Sequence, residues 1–267
     1  MTRAVSSGSR GPSSARSNPP AADDDSLSVE SLPIANYFAA SERPLASLMF
    51  VLPMIVVYEV GTRWYATDPV HGTEQRIIAF NLMRQFFTLF GAHGRYLPCF
   101  AIVSVLVTTH LVRKDPIVVR PWTLFGMAIE SVLLAVPLLL AGQTVIHYLQ
   151  QITLVGLAGA DREMIVTFFG AGIYEELVFR LAGFALLSLL FRDALKIKKK
   201  LSMLLIVVCS GILFSGYHYL GNERFEWPSF VFRTLAGVYF GVLFMSRGFG
   251  VTAGTHTAYD IIVWSLR

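Results

Sequence analysis

Charge is what this sequence has least of. Of 267 residues, 15% are Asp, Glu, Lys or Arg, against 54% that are hydrophobic. An ordinary soluble domain carries roughly 25% charged residues, and a water-soluble globule of this length cannot hide so many apolar runs in one core. The same numbers exclude intrinsic disorder for most of the chain. Cysteine is scarce too. Cys99 and Cys209 both lie in apolar stretches without metal-type spacing, which excludes a disulfide framework and leaves them reading as small buried hydrophobes. Two familiar protease signatures are missing: the His-Glu-x-x-His helix of zincins and the Gly-x-Ser-x-Gly elbow of serine hydrolases. No repeat of solenoid or inverted-transporter type stands out either.

What is there is a series of apolar segments. Spans are expected near 45–63, 96–112, 122–148, 164–191, 201–220, 228–246 and 249–266, each approaching the ~20 apolar residues that cross a bilayer core as a helix. Residues 76–91 are apolar but carry Arg76 and Arg84, the pattern of an amphipathic helix lying in the interface rather than an eighth span. Trp64, Tyr65, Tyr96, Trp122, Tyr148, Trp227 and Trp264 fall at segment edges, as an aromatic belt requires. The fold class is therefore all-α, a polytopic transmembrane bundle of about seven spans with an interfacial helix. It occupies 44–267, and residues 1–43, rich in Ser, Arg, Pro and Ala early on, read as a disordered tail. No apolar stretch of signal-peptide type follows Arg3.

The net charge of +4 does not point to nucleic acid, because the basic residues sit between apolar segments. Arg43, Arg113, Lys114, Arg120, Arg192, Lys196, Lys198, Lys199, Lys200 and Arg247 fall on one side of a seven-span layout. That side is expected to be cytoplasmic, with the N-terminus inside. Gly237-x-x-x-Gly241 and Gly250-x-x-x-Gly254 predict close helix packing.

Ionisable groups inside the spans carry the functional information, since they are costly in a membrane. Glu175 and Glu176 are adjacent in an apolar run, and Arg180 stands four residues after Glu176, so one carboxylate is neutralised on the same helix face. Glu175, about 100° round the helix, faces something else. The next span places Phe214 and His218 on one face, and the last places His256 and Asp260 together. Glu130, with no motif around it, reads as a packing or interhelical hydrogen-bonding residue, and His71, His93, His110 and His147 read as solvated groups near interfaces.

The three motifs, Glu175-Glu-Leu-Val-Phe-Arg180, Phe214-Ser-Gly-Tyr-His218 and His256-Thr-Ala-Tyr-Asp260, stand in order on separate helices. In this the sequence resembles the CPBP family (CAAX protease and bacteriocin-processing, or Abi), which includes the type II CAAX prenyl endopeptidases. The likeness covers residues 164–267. It implies an intramembrane endopeptidase acting on a membrane-associated protein or peptide, with Glu175 and His218 polarising the attacking water and His256 with Asp260 at the oxyanion. Glu176, Arg180 and Phe214 would support them. Position 260 is Asp where the better-studied prenyl endopeptidases carry Asn, and a carboxylate donates nothing unless protonated. Asp260 is therefore expected to orient and charge His256. The family is often labelled metalloprotease, so the cofactor is either none, with a glutamate-activated water, or zinc on Glu175, His218 and His256. A proton-coupled transporter and a non-catalytic membrane immunity or interaction protein are the other readings of the same buried charges. One geometric puzzle stands: at ~1.5 Å per residue, Glu175 lies deep in its helix and His218 near the end of its own.

Overall fold

A computed structural model describes residues 33–68, 70–149, 161–221 and 223–266. Among these residues the structure is helical, with one isolated bridge pairing Thr67 and Glu74. A short helix α1 (Pro33–Ser41) leads into α2 (Pro44–Tyr65), then α3 (Ile78–Leu89), α4 (Leu97–Arg113) and α5 (Pro121–Leu149). A long rod, α6, runs over 161–194, followed by α7 (Lys199–Tyr217) and a 3₁₀ turn, His218–Leu220. Prolines start several of these helices, at Pro44, Pro98 and Pro121, where the missing N–H has no intrahelical partner to lose.

The last helical stretch, Trp227–Ser265, is two helices. Gly248 sits between them with φ 75° and ψ −177°, a conformation essentially reserved for glycine. The chain reverses there. The rings of Phe240 and His256, on either side of it, are 4.6 Å apart, and those of Phe232 and Tyr259 are 6.2 Å apart. In a straight helix the first pair would be separated by roughly 24 Å. We call the two arms α8 (227–247) and α9 (249–265); they match the two spans expected there.

The helices α2, α5, α7 and Trp227–Ser265 are long and apolar enough to cross a bilayer, and α4 is a shorter apolar helix. Their outward faces are apolar: Val56, Leu111, Leu133, Leu140, Leu204 and Leu235 are all exposed. The interior holds Glu176 and Arg180 of α6 and Thr252 and Thr255 of α9 fully buried. Apolar outside and polar within is the arrangement of a chain whose solvent is lipid.

Helices meet through small residues, as the Gly-x-x-x-Gly spacing predicts. A Cβ on Gly237 would press on Gly211 and Phe214, and one on Gly250 would press on Ser47 and Met127. The helix α3 has 12 residues, about 18 Å of length, too short to span. Its first turn packs inward through Ala79 and Phe80.

Three expectations change. Residues 33–41, assigned by composition to the tail, form α1, and the first 32 residues lie outside the described ones. His110 is buried near the end of α4 rather than solvated, and its Nδ1 has no hydrogen-bond partner among the described residues; His147 lies in a stretch whose side chains are not described. Cys99 and Cys209 are free thiols and half-buried. Glu130 does serve as an interhelical anchor: it accepts hydrogen bonds from Tyr37 Oη at 2.5 Å and from Arg247 Nε at 2.6 Å and Nη2 at 2.9 Å.

Candidate active site

The rod α6 is not regular where the charges sit. It begins as α-helix (Asp161–Gly170), then carries π-helical segments at Ala171–Glu175 and Leu177–Ala182. π-Segments widen the helix by one residue per turn and occur often at functional sites. Here they hold the two glutamates side by side in the interior. Gly172 lets this stretch approach α9, because a Cβ there would collide with Thr257 Oγ1 and the Ala253 carbonyl oxygen.

Glu176 and Arg180 form the i,i+4 pair expected, with Nη1 3.1 Å from Oε1 and neither side chain exposed. Arg180 Nη2 also donates to the Gly237 carbonyl at 3.0 Å, and its guanidinium lies 4.5 Å from the Phe214 ring centroid. Glu176 has a second partner that spacing along one helix does not reveal. The same Oε1 accepts from His256 Nδ1 at 2.8 Å. Glu176 thus ties the first motif to the third.

Glu175 faces the other way. Its Oε1 accepts from Tyr217 Oη at 2.9 Å, and its Oε2 has no hydrogen-bond partner among the described residues. That oxygen lies 3.7 Å from His256 Nε2, and Asp260 Oδ2 lies at the same distance from the same nitrogen. The His256 ring is stacked on Phe240, 17° from parallel. Asp260 is therefore near His256 without bonding to it; the hydrogen bond that orients the ring comes from Glu176.

His218 stands in the 3₁₀ turn just past α7, where its Nδ1 lies 2.8 Å from the Phe214 carbonyl oxygen. A carbonyl only accepts, so Nδ1 carries the proton and Nε2 is left as an acceptor. The depth puzzle resolves as stagger. The end of α7 lies level with the middle of α6, as the bond from Tyr217 to Glu175 requires.

Glu175, His218, His256 and Asp260 all line one cavity of about 340 Å³, whose walls include Phe214, Phe232, Phe240 and Ala236. Two functional candidates in this region escaped sequence reading. Tyr217 touches Glu175 directly and accepts from the Ala79 N–H at 3.3 Å, linking the start of α3 to the cavity. Arg233 lines the cavity and is paired with Glu223 at 2.7 Å; its signal was an arginine a turn or so inside the edge of an expected span. Behind the site, Arg76 is bidentate to Glu59 at 3.0 and 2.8 Å, and Tyr174 Oη donates to Glu59 at 3.1 Å. Burial works against the Arg76 charge, but the Glu59 carboxylate outweighs it and holds the guanidinium above its ordinary range.

Zinc on Glu175, His218 and His256 can be tested against this geometry. Among the described residues no three His, Cys, Asp or Glu side chains form a group able to hold a metal ion. His256 is committed through Nδ1 to Glu176. The side chains do not make a zinc-ligand set as they stand.

A family model, described as Type II CAAX prenyl endopeptidase Rce1-like, matches residues 162–262 and so contains all three motifs. No curated protein and no solved structure matches the chain. Over residues 162–262 the helical bundle thus carries an Rce1-like domain, which supports a CPBP/CAAX protease family.

Proposed function

We propose that this protein hydrolyses a peptide bond of a membrane-associated protein or peptide with a water activated by Glu175 and His218. One observation carries the proposal: side chains from α6, the turn after α7 and α9 converge on a single cavity. Peptide hydrolysis needs a base for the water and a donor for the developing oxyanion, and both kinds of group are present.

In this reading a water sits between Glu175 Oε2, the oxygen with no hydrogen-bond partner among the described residues, and His218 Nε2. Glu175 takes the water proton as the oxygen attacks the scissile carbonyl carbon. His256, protonated on both nitrogens among the surrounding carboxylates, gives its Nδ1–H to Glu176 and donates from Nε2 to the oxyanion. When the tetrahedral intermediate collapses, the C–N bond breaks and the proton on Glu175 passes to the departing amine. Asp260 acts on His256 as a nearby charge at 3.7 Å. The aromatic walls exclude bulk water and strengthen each of these interactions. Under the cytoplasmic assignment of the basic loops, the cavity lies towards the opposite face, where α7 ends and α8 begins.

The test is Glu175→Gln in the full chain, reconstituted in vesicles, with protein termini compared between cells carrying it and the wild type. Processing should fall by roughly 10²–10⁴-fold while insertion is unchanged; full processing by the variant would remove the assignment. Chelator treatment separates the activation modes. Activity that survives it supports the glutamate-activated water, and loss restored by zinc would replace it.

A further inference from the structure

At the opposite end of the bundle from the active-site cavity lies a second one, of about 500 Å³, between α1 and the start of α5. Its volume falls within the range of pockets that hold small organic ligands. Arg43 and Arg120 both line it, together with Asn36, Tyr37, Thr123 and Trp122. No carboxylate is among the described lining residues. Neither guanidinium has an ion-pair partner among the described residues. Glu42, the neighbouring acid, is drawn off to Arg247 at 2.7 Å. Arg43 is half-buried and Arg120 exposed, and two guanidiniums lining one pocket without an acid among its described walls favour an anion there.

Where the pocket sits narrows the anion. Trp122 is 80% exposed, the position of an interfacial ring at headgroup level. Connectivity puts Arg113, Lys114, Lys198, Lys199, Lys200 and Arg247 at this same end, the basic end that meets an anionic leaflet. The first turn of α5 lines the pocket through Trp122 and Thr123, and the positive end of the helix dipole there adds a weak preference for negative charge. Tyr37, which lines the pocket, donates to Glu130, and Glu130 holds Arg247 beside the α8–α9 reversal. An occupant would therefore brace α1 against the turn that sets the position of His256.

We propose that this pocket binds the phosphate headgroup of an anionic phospholipid, with Arg43 and Arg120 on the phosphate and Trp122 against the glycerol and acyl region. The test uses the full chain in neutral detergent, with thermal unfolding followed as short-chain phosphatidylglycerol, short-chain phosphatidylcholine or inorganic phosphate is added. Phosphatidylglycerol should raise the unfolding temperature saturably and phosphatidylcholine should not. The double variant Arg43→Gln/Arg120→Gln should need roughly thirtyfold more phosphatidylglycerol, about fivefold for each arginine. Arg43→Lys/Arg120→Lys should recover part of the response, and Arg84→Gln, which removes a charge from α3, should respond like the wild type. Equal responses to the two lipids, or a double variant that titrates like the wild type, would overturn the proposal. Inorganic phosphate that reproduces the full shift at similar concentration would overturn the lipid as the ligand. Each variant's unfolding temperature without lipid shows that it has folded.

Discussion

His256 Nδ1 lies 2.8 Å from Glu176 Oε1, and that carboxylate oxygen also holds Arg180 at 3.1 Å. One buried oxygen therefore serves both the ion pair inside α6 and the imidazole of α9. Reading along one helix assigns Glu176 to Arg180 alone and gives Asp260 the task of orienting His256. In the folded chain Glu176 does both, and Asp260 stands off at 3.7 Å.

Removing Arg180 should be severe. Arg180→Ala leaves the fully buried Glu176 carboxylate with His256 as its remaining partner, and breaking such a buried ion pair costs roughly 3–5 kcal/mol. The unfolding midpoint in detergent should drop accordingly. An unchanged midpoint would mean that the pair contributes nothing that water or lipid cannot replace.

Asp260→Asn should be far milder than Glu175→Gln. No hydrogen bond joins Asp260 to His256, so the ring keeps its orientation from Glu176. A loss of about tenfold in turnover is expected, against the 10²–10⁴-fold of a missing base. Equal losses in the two variants would assign Asp260 to the reacting atoms.

Tyr217→Phe removes the one hydrogen bond on Glu175 Oε1 and the acceptor for the Ala79 N–H. Misplacing a base by a fraction of an ångström is expected to lower kcat by roughly 10–100-fold. KM should change little and the unfolding midpoint by a degree or two. A rise in KM with kcat unchanged would assign Tyr217 to substrate binding instead.

Glycines should separate by mechanism. At Gly248 a methyl has room, with nothing closer than 3.6 Å, but φ 75° with ψ −177° is strained for any side chain; Gly248→Ala should cost roughly 1–3 kcal/mol. Gly237→Ala meets the Gly211 backbone and should cost a similar amount through overpacking. At Gly216 nothing lies within 4 Å of the new methyl, so Gly216→Ala should be neutral or stabilising by about 0.5–1 kcal/mol. Unfolding midpoints of the three decide, and a destabilised Gly216→Ala would contradict the open space there.

Hydropathy made the spans legible because lipid permits little besides apolar helices with their backbone groups satisfied internally. Scarcity of charge made the site legible: Glu175, Glu176, Arg180, His218, His256 and Asp260 are conspicuous against apolar surroundings, and their spacing on separate helices pointed to one interior. Arg233 and Tyr217 were harder to see. Arginine a turn or two inside a span edge passes for a snorkelling side chain, and a tyrosine, one of 10 in this sequence beside 20 phenylalanines, passes for one more aromatic.

By itself the sequence determined the all-helical membrane architecture, the approximate spans and the set of intramembrane ionisable residues, because each follows from local composition and from the cost of charge in lipid. Only the tertiary structure decided which of those residues touch. The π-segments of α6, the stagger of α7 and the reversal at Gly248 set the register between helices, and register is a matter of packing across distant segments that periodicity along one helix does not encode. That is why the i,i+4 pair of Glu176 and Arg180 was readable in advance, and the bond from Glu176 to His256 was not.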